Sequence, residues 1–259
     1  MAGLFASLKT NKDDGPGLLA RHREIAFVLP MVVYLLVGSL EPSPGQAGGK
    51  LLGLSVGYAA YPWIYAAKIG LTLLAMALVW RVYGEFPLRV TLLAVLVGVV
   101  GVVVWIGLWK LALDQRLLAW LGLGRVVDLG ARPALNPFAQ FRGSPGRLSA
   151  FLAVRFFGLA VIVPVIEEFF LRGFLMRWVM AHQWWKIPFG QLDATAVAVS
   201  LIVPALMHPA ELLPAVAWFG MVTWLMARTR NLWDCVAAHA VTNLLLGIYV
   251  VTQGQWALW

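Results

Sequence analysis

Two adjacent carboxylates, Glu167 and Glu168, follow a long apolar run in VPVIEEFFLRGFLMR, and Arg172 stands four residues after the second. At 3.6 residues per turn Glu168 and Arg172 share a helix face and can pair, while Glu167 is turned about 100° away from that pair. An ionisable group inside or at the edge of a membrane span costs roughly 2.5 to 3.5 kcal/mol on insertion scales, which makes Glu167 a candidate for chemistry. The structural alternative is a helix end whose long charged side chains reach the headgroups. Three further polar side chains stand in the apolar C-terminal half: His208 in VPALMHPAE, and His239 with Asn243 in CVAAHAVTNLL. His239 and Asn243 are four apart, so on a helix they project from one face and can act on a single atom. Either could instead serve as an interhelical hydrogen bond.

Three chemistries can use this set. Zinc hydrolysis needs about three protein ligands, which Glu167, His208 and His239 can supply, but there is no His-Glu-x-x-His run and no second carboxylate reserved as a base. Serine-type catalysis needs a base-paired nucleophile, and neither Ser200 nor Thr242 has an elbow motif around it. The third is direct activation of water, in which a desolvated carboxylate takes the proton, a histidine shares the water, and donors on another helix hold the developing oxyanion. Such a donor is often worth roughly 3 to 4 kcal/mol.

The elements that must hold these residues are membrane helices. Of 259 residues 61% are hydrophobic and 12% charged, the balance of an integral membrane protein. The net charge of +8 comes from basic residues placed singly between apolar runs, not from one basic face, so a nucleic-acid partner is excluded in favour of topology signals. The single cysteine, Cys235, rules out an intrachain disulfide and a Cys-rich metal site. The thirteen tryptophans are read as interfacial anchors.

In chain order, residues 1–24 form a polar cytoplasmic N-terminal segment with Lys9, Lys12, Arg21 and Arg23, and the first apolar run is a retained span rather than a removed signal peptide. Spans are expected at about Ile25–Leu40, Pro62–Trp80, Val90–Trp109, Ser149–Phe170, Ala194–Met207, Leu213–Ala227 and Leu232–Thr252. Lys68, inside the second, is expected to snorkel, and Glu211, between Pro209 and Pro214, to be a loop charge. Residues 110–147 read as an amphipathic helix and a Gly- and Pro-rich linker. Lys and Arg counts favour a cytoplasmic N-terminus, with the long third loop dissenting, and a further membrane-dipping helix there would make eight spans. The fold class is therefore all-α, a polytopic helical membrane protein with seven or eight transmembrane helices. Three accessory transmembrane helices (25–109) precede the linker, and a catalytic helical bundle (148–259) carries the three motifs.

The pattern EExxxR in Glu167, Glu168 and Arg172, a histidine on the next helix, and HxxxN in His239 and Asn243 resembles the CAAX prenyl protease and bacteriocin-processing family over about residues 150–250. The chain departs from the family pattern at Pro204, where a phenylalanine is usual. The resemblance implies an intramembrane endopeptidase of the glutamate type. Glu167 is then the general base, His208 its partner on the water, and His239 with Asn243 the oxyanion hole, while Glu168 and Arg172 brace the site. It also implies no metal or other cofactor, with zinc as the alternative, and a membrane-anchored protein or peptide substrate, prenylated or sorted. The layout is similar to the subgroup found beside exosortase sorting systems, which implies a bacterial inner membrane. A scaffold or immunity protein that has lost turnover and a proton-coupled transporter are the other readings.

Overall fold

The computed structural model describes residues 22–43, 47–49, 53–122 and 135–259. The expectations for most of the N-terminal segment, for Lys50 and for Arg125 and Arg132 lie outside them. The described residues are all-helical, with no strand beyond one isolated bridge between Gly48 and Val56. Eight helices matter here: α1 Arg23–Gly38, α2 Tyr61–Leu78, α3 Leu92–Leu111, α4 Leu113–Trp120, α5 Pro145–Trp178, α6 Ala194–Met207, α7 Leu212–Thr229 and α8 Leu232–Gln253.

Among the described residues five helices are long and apolar enough to cross a membrane: α2, α3, α5, α7 and α8, with a short turn leading into α2 and α7. The remaining two expected spans form shorter helices, 16 residues in α1 and 14 in α6. The fourth span, expected at Ser149–Phe170 with a tail ending near His182, runs from Pro145 to Trp178. It continues unbroken through the Glu pair as a 34-residue helix, about 51 Å at 1.5 Å per residue.

Side-chain caps set where the helices begin. Thr91 accepts the Ala94 N–H at the start of α3, Asp193 the Ala196 N–H at α6, and Asn231 the Trp233 N–H at α8. The same ends are tied to one another: Asp234 accepts the Thr91 N–H at 2.7 Å, and Asn231 donates to the Arg89 carbonyl at 2.8 Å. Arg23 pairs with Glu85 at 3.1 Å. One end of the bundle thus carries Arg23, Arg81, Arg89, Arg177, Lys186, Arg228 and Arg230, and is called the basic end below. The opposite end holds the C-termini of α1, α3 and α8 and the N-termini of α2 and α5. There the left-handed backbone of Ala112, φ 47°, turns α3 into α4. No residue of α4 is buried, in keeping with a helix lying on a surface.

α3 packs against α7 and α8, and the missing side chain of Gly101 permits the approach. A Cβ there would lie 2.6 Å from Trp218 Nε1. Thr242 on α8 completes the seam, since its hydroxyl donates to the Gly98 carbonyl at 2.8 Å and accepts from Trp218 Nε1 at 3.0 Å. Ser200 likewise donates to the Val197 carbonyl at 2.8 Å. Both hydroxyls serve packing.

The tryptophan expectation needs correction. Trp63, Trp80 and Trp120 are exposed as anchors would be, but Trp105, Trp184 and Trp218 are buried in the core. An indole supplies large apolar area, and the helix seams use it. Lys68 does not snorkel. It is 4% exposed, paired with Glu41 at 2.5 Å, and lies 4.4 Å from the Tyr34 ring centroid. Glu211 is no open loop charge either, being buried in the turn between α6 and α7.

Asp114 anchors α4 by accepting the Leu213 N–H at 2.9 Å. Burial pushes its carboxyl up from 3.8, and the Leu213 N–H pulls the other way. A raised acid binds more protons in the folded state, so this group's contribution to stability falls as pH rises through the window just above 3.8. Asp114→Asn keeps an acceptor for the N–H and removes the charge. Its thermal midpoint at pH 7 should equal or exceed the wild-type value, while Asp114→Ala should lower it.

Candidate active site

The Glu pair sits in a distorted part of α5. Pro164 has no N–H and its ring crowds the preceding turn, and the helix answers with a π turn over Gly158–Ile162. There the Val163 N–H bonds back five residues to the Gly158 carbonyl. By that register the next carbonyl, Leu159, faces Pro164, which has nothing to donate. Asn243 Nδ2 on α8 fills the gap, donating to Leu159 O at 3.0 Å. A second π turn, Phe169–Leu175, follows directly after Glu168.

Glu168 and Arg172 are both fully buried and form an ion pair, as their spacing predicts. Arg172 also donates to the Phe219 carbonyl of α7 at 3.2 Å. The second oxygen of Glu168 accepts from His239 Nδ1 at 2.9 Å, which sets Nδ1 as a donor and turns the other nitrogen toward Glu167, with Nε2 3.9 Å from Oε2. The Trp218 ring lies across the His239 ring at 4.6 Å between centroids.

His208 lies just past the end of α6. Its Nδ1 donates to the Pro204 carbonyl at 2.9 Å, so in the neutral ring Nε2 is the acceptor. The proline that departs from the family pattern thus supplies the carbonyl that orients the histidine. Trp105 packs against this ring at 5.6 Å and Phe219 at 6.0 Å.

Glu167, His208, His239 and Asn243 come from α5, the α6 terminus and α8, and all four line one cavity of about 170 Å³. Glu168 and Arg172 lie behind its wall. A carboxylate, two imidazoles and an amide around a cavity of this size can move a proton and bind an oxyanion. Residues 149–245 match the family model for type II CAAX prenyl endopeptidase Rce1-like proteins.

The Rce1-like stretch takes in the Glu pair, His208, His239 and Asn243. No curated protein and no solved structure matches the chain. The Rce1-like family is a protease family, and with the apolar helices it supports a membrane-embedded peptidase of the CAAX protease type acting on a peptide.

Several wall residues were not among the expected ones: Tyr34, Tyr65, Trp105, Arg155, Trp218 and Trp259. The first three belong to helices outside the Rce1-like stretch. Arg155 left a signal in the sequence, an arginine inside an apolar span. A plain helix conceals its relation to Glu167, because twelve residues at 100° each end about 120° out of phase. The π turn takes up one residue more, and eleven residues leave the two about 20° apart.

Proposed function

We propose that the protein is an intramembrane endopeptidase that hydrolyses a peptide bond of a membrane-associated protein, prenylated or sorted, with water activated by Glu167. The observation that carries this reading is the convergence of Glu167, His208, His239 and Asn243 on one cavity inside an apolar bundle.

In the proposed reaction Glu167 takes one proton of the water as its oxygen attacks the scissile carbonyl carbon. His208 Nε2 accepts a hydrogen bond from the water's other O–H, which stays on the oxygen, and orients it. The oxyanion is held by the second N–H of the Asn243 amide, the first being given to Leu159, and by His239 in its doubly protonated form, with Nδ1–H directed at Glu168. When the C–N bond breaks, Glu167 returns its proton to the departing amine, leaving one carboxylic acid and one amine. Glu168 and Arg172 hold the His239 ring in place.

The bundle is read as seven spans, α1 and α6 completing the five longer ones, with the basic end and the N-terminus in the cytoplasm of a bacterial inner membrane. The expected division into accessory helices (25–109), linker and catalytic bundle (148–259) belongs to this reading.

The mechanism uses no metal. On this reading His239 gives Nδ1 to Glu168 and acts through Nε2, with zinc as the alternative. The protein reconstituted in liposomes with a library of membrane-anchored peptides should cleave some of them, and its rate should stay within a factor of about two in a chelator. Loss of turnover on chelation and its return with zinc would sink the water-only mechanism. No cleavage in any condition fits a scaffold, and proton-linked flux fits a transporter.

A further inference from the structure

The cavity extends beyond the catalytic groups, toward the end of the bundle opposite the basic one, and there it meets Arg155. This side chain is 9% exposed, and its guanidinium carbon lies 4.7 Å from the Tyr65 ring centroid and 5.1 Å from that of Trp259. Nη1 donates to the Tyr61 hydroxyl at 3.1 Å, and the buried Nε has no hydrogen-bond partner. Among the described residues no carboxylate forms an ion pair with it.

A second chamber of about 330 Å³ shares the Arg155 wall and contains Lys68 and Glu41. Those two pair with each other at 2.5 Å, which leaves Arg155 as the cation of this chamber outside that pair, while Glu167 is the carboxylate on the wall of the first cavity. A buried arginine without a counter-ion is costly, and faces of aromatic rings compensate it only in part. Its planar fork matches a group with two oxygens. The geometry points to Arg155, held by Tyr61 and Tyr65, as the subsite for a carboxylate of the peptide that fills the cavity.

A lipid phosphate fits less well. Arg155 lies ten residues into α5, about 15 Å from its first residue, Pro145, and it is walled by aromatic side chains rather than facing the acyl chains. The carboxylate can be the chain terminus of the peptide or an acidic side chain. The choice of a peptide rests on the peptidase reading, whereas the need for an anion does not.

The test is binding, which needs no turnover. Full-length protein in nanodiscs is titrated with N-acetyl-Ala-Val-Leu as the free acid, with its C-terminal amide, with an N-acetyl-Ala-Glu-Leu amide, and with dihexanoyl phosphatidylglycerol. At least one of the two carboxylate peptides should bind about tenfold or more tightly than the neutral amide, and the one that does identifies a terminal or a side-chain source. Arg155→Gln should reduce the carboxylate peptide to the affinity of the neutral amide. Tyr61→Phe removes only the hydroxyl that orients the guanidinium and should give a smaller loss. If Arg155→Gln does not fold, Arg155→Lys and Tyr61→Phe carry the same comparison, each expected to narrow the preference. Glu167→Gln should keep it, whatever becomes of turnover, so the two readings fail separately. The subsite is overturned if the neutral amide binds as tightly as both carboxylate peptides or none of the peptides binds. It is also overturned if the preference survives unchanged in the Arg155 variants, or if the phosphatidylglycerol binds and the carboxylate peptides do not displace it.

Discussion

Glu167→Gln is expected to lower turnover by about 10²- to 10⁴-fold, the usual worth of a positioned general base. The substitution keeps the size and hydrogen-bonding reach of the side chain and removes the basic oxygen. The fold should survive it, because glutamine keeps the shape of the side chain and leaves the buried Glu168–Arg172 pair untouched. The variant should therefore retain the wild-type thermal midpoint within a degree or two, with substrate affinity nearly unchanged and the loss confined to kcat. Wild-type rates in a folded Glu167→Gln protein would remove Glu167 as the base. An equal loss of rate and folded protein would turn it into a structural residue.

Arg172→Ala is expected to produce the opposite profile, a loss of about 3 to 5 kcal/mol of stability, since it leaves the Glu168 charge buried with its main partner gone. Arg172 is fully enclosed and also bonds the Phe219 carbonyl, so no water replaces the guanidinium at either contact. Removing both charges in Glu168→Gln/Arg172→Met should recover a large part of that loss, because the glutamine carbonyl can still accept from His239 Nδ1. Denaturant midpoints of the wild type, Glu168→Gln, Arg172→Met and the double variant in one detergent would measure the coupling. Additive losses would mean that the pair is not a unit.

Much of this arrangement can be read from residue types. The apolar runs give the helices with small shifts at their ends. α6 spans the expected Ala194–Met207, and α8 ends one residue beyond the expected Thr252. The i to i+4 spacings give the Glu168–Arg172 pair directly. The expectation fails where backbone register or distant folding decides. Lys68 is buried because Glu41, twenty-seven positions earlier, folds back onto it, and no local pattern encodes that return. The tryptophans share one composition signal, yet some face outward and others close the cavity, since the sorting depends on which helix each one meets. Asn243 is legible as a polar residue in a span, but its partner is a carbonyl released by Pro164 on another helix.

That released carbonyl has a broader consequence. The π turn before Pro164 stores a rotational offset: ironed into an ordinary α turn, with every amino acid unchanged, it would swing the upstream half of α5 by roughly a quarter of a revolution. Arg155 would leave the wall it shares with the glutamate. The alignment of the two charges is therefore written in a backbone phase, locked by one amide from a neighbouring helix, and a change that leaves every ionisable side chain in place can still dismantle it.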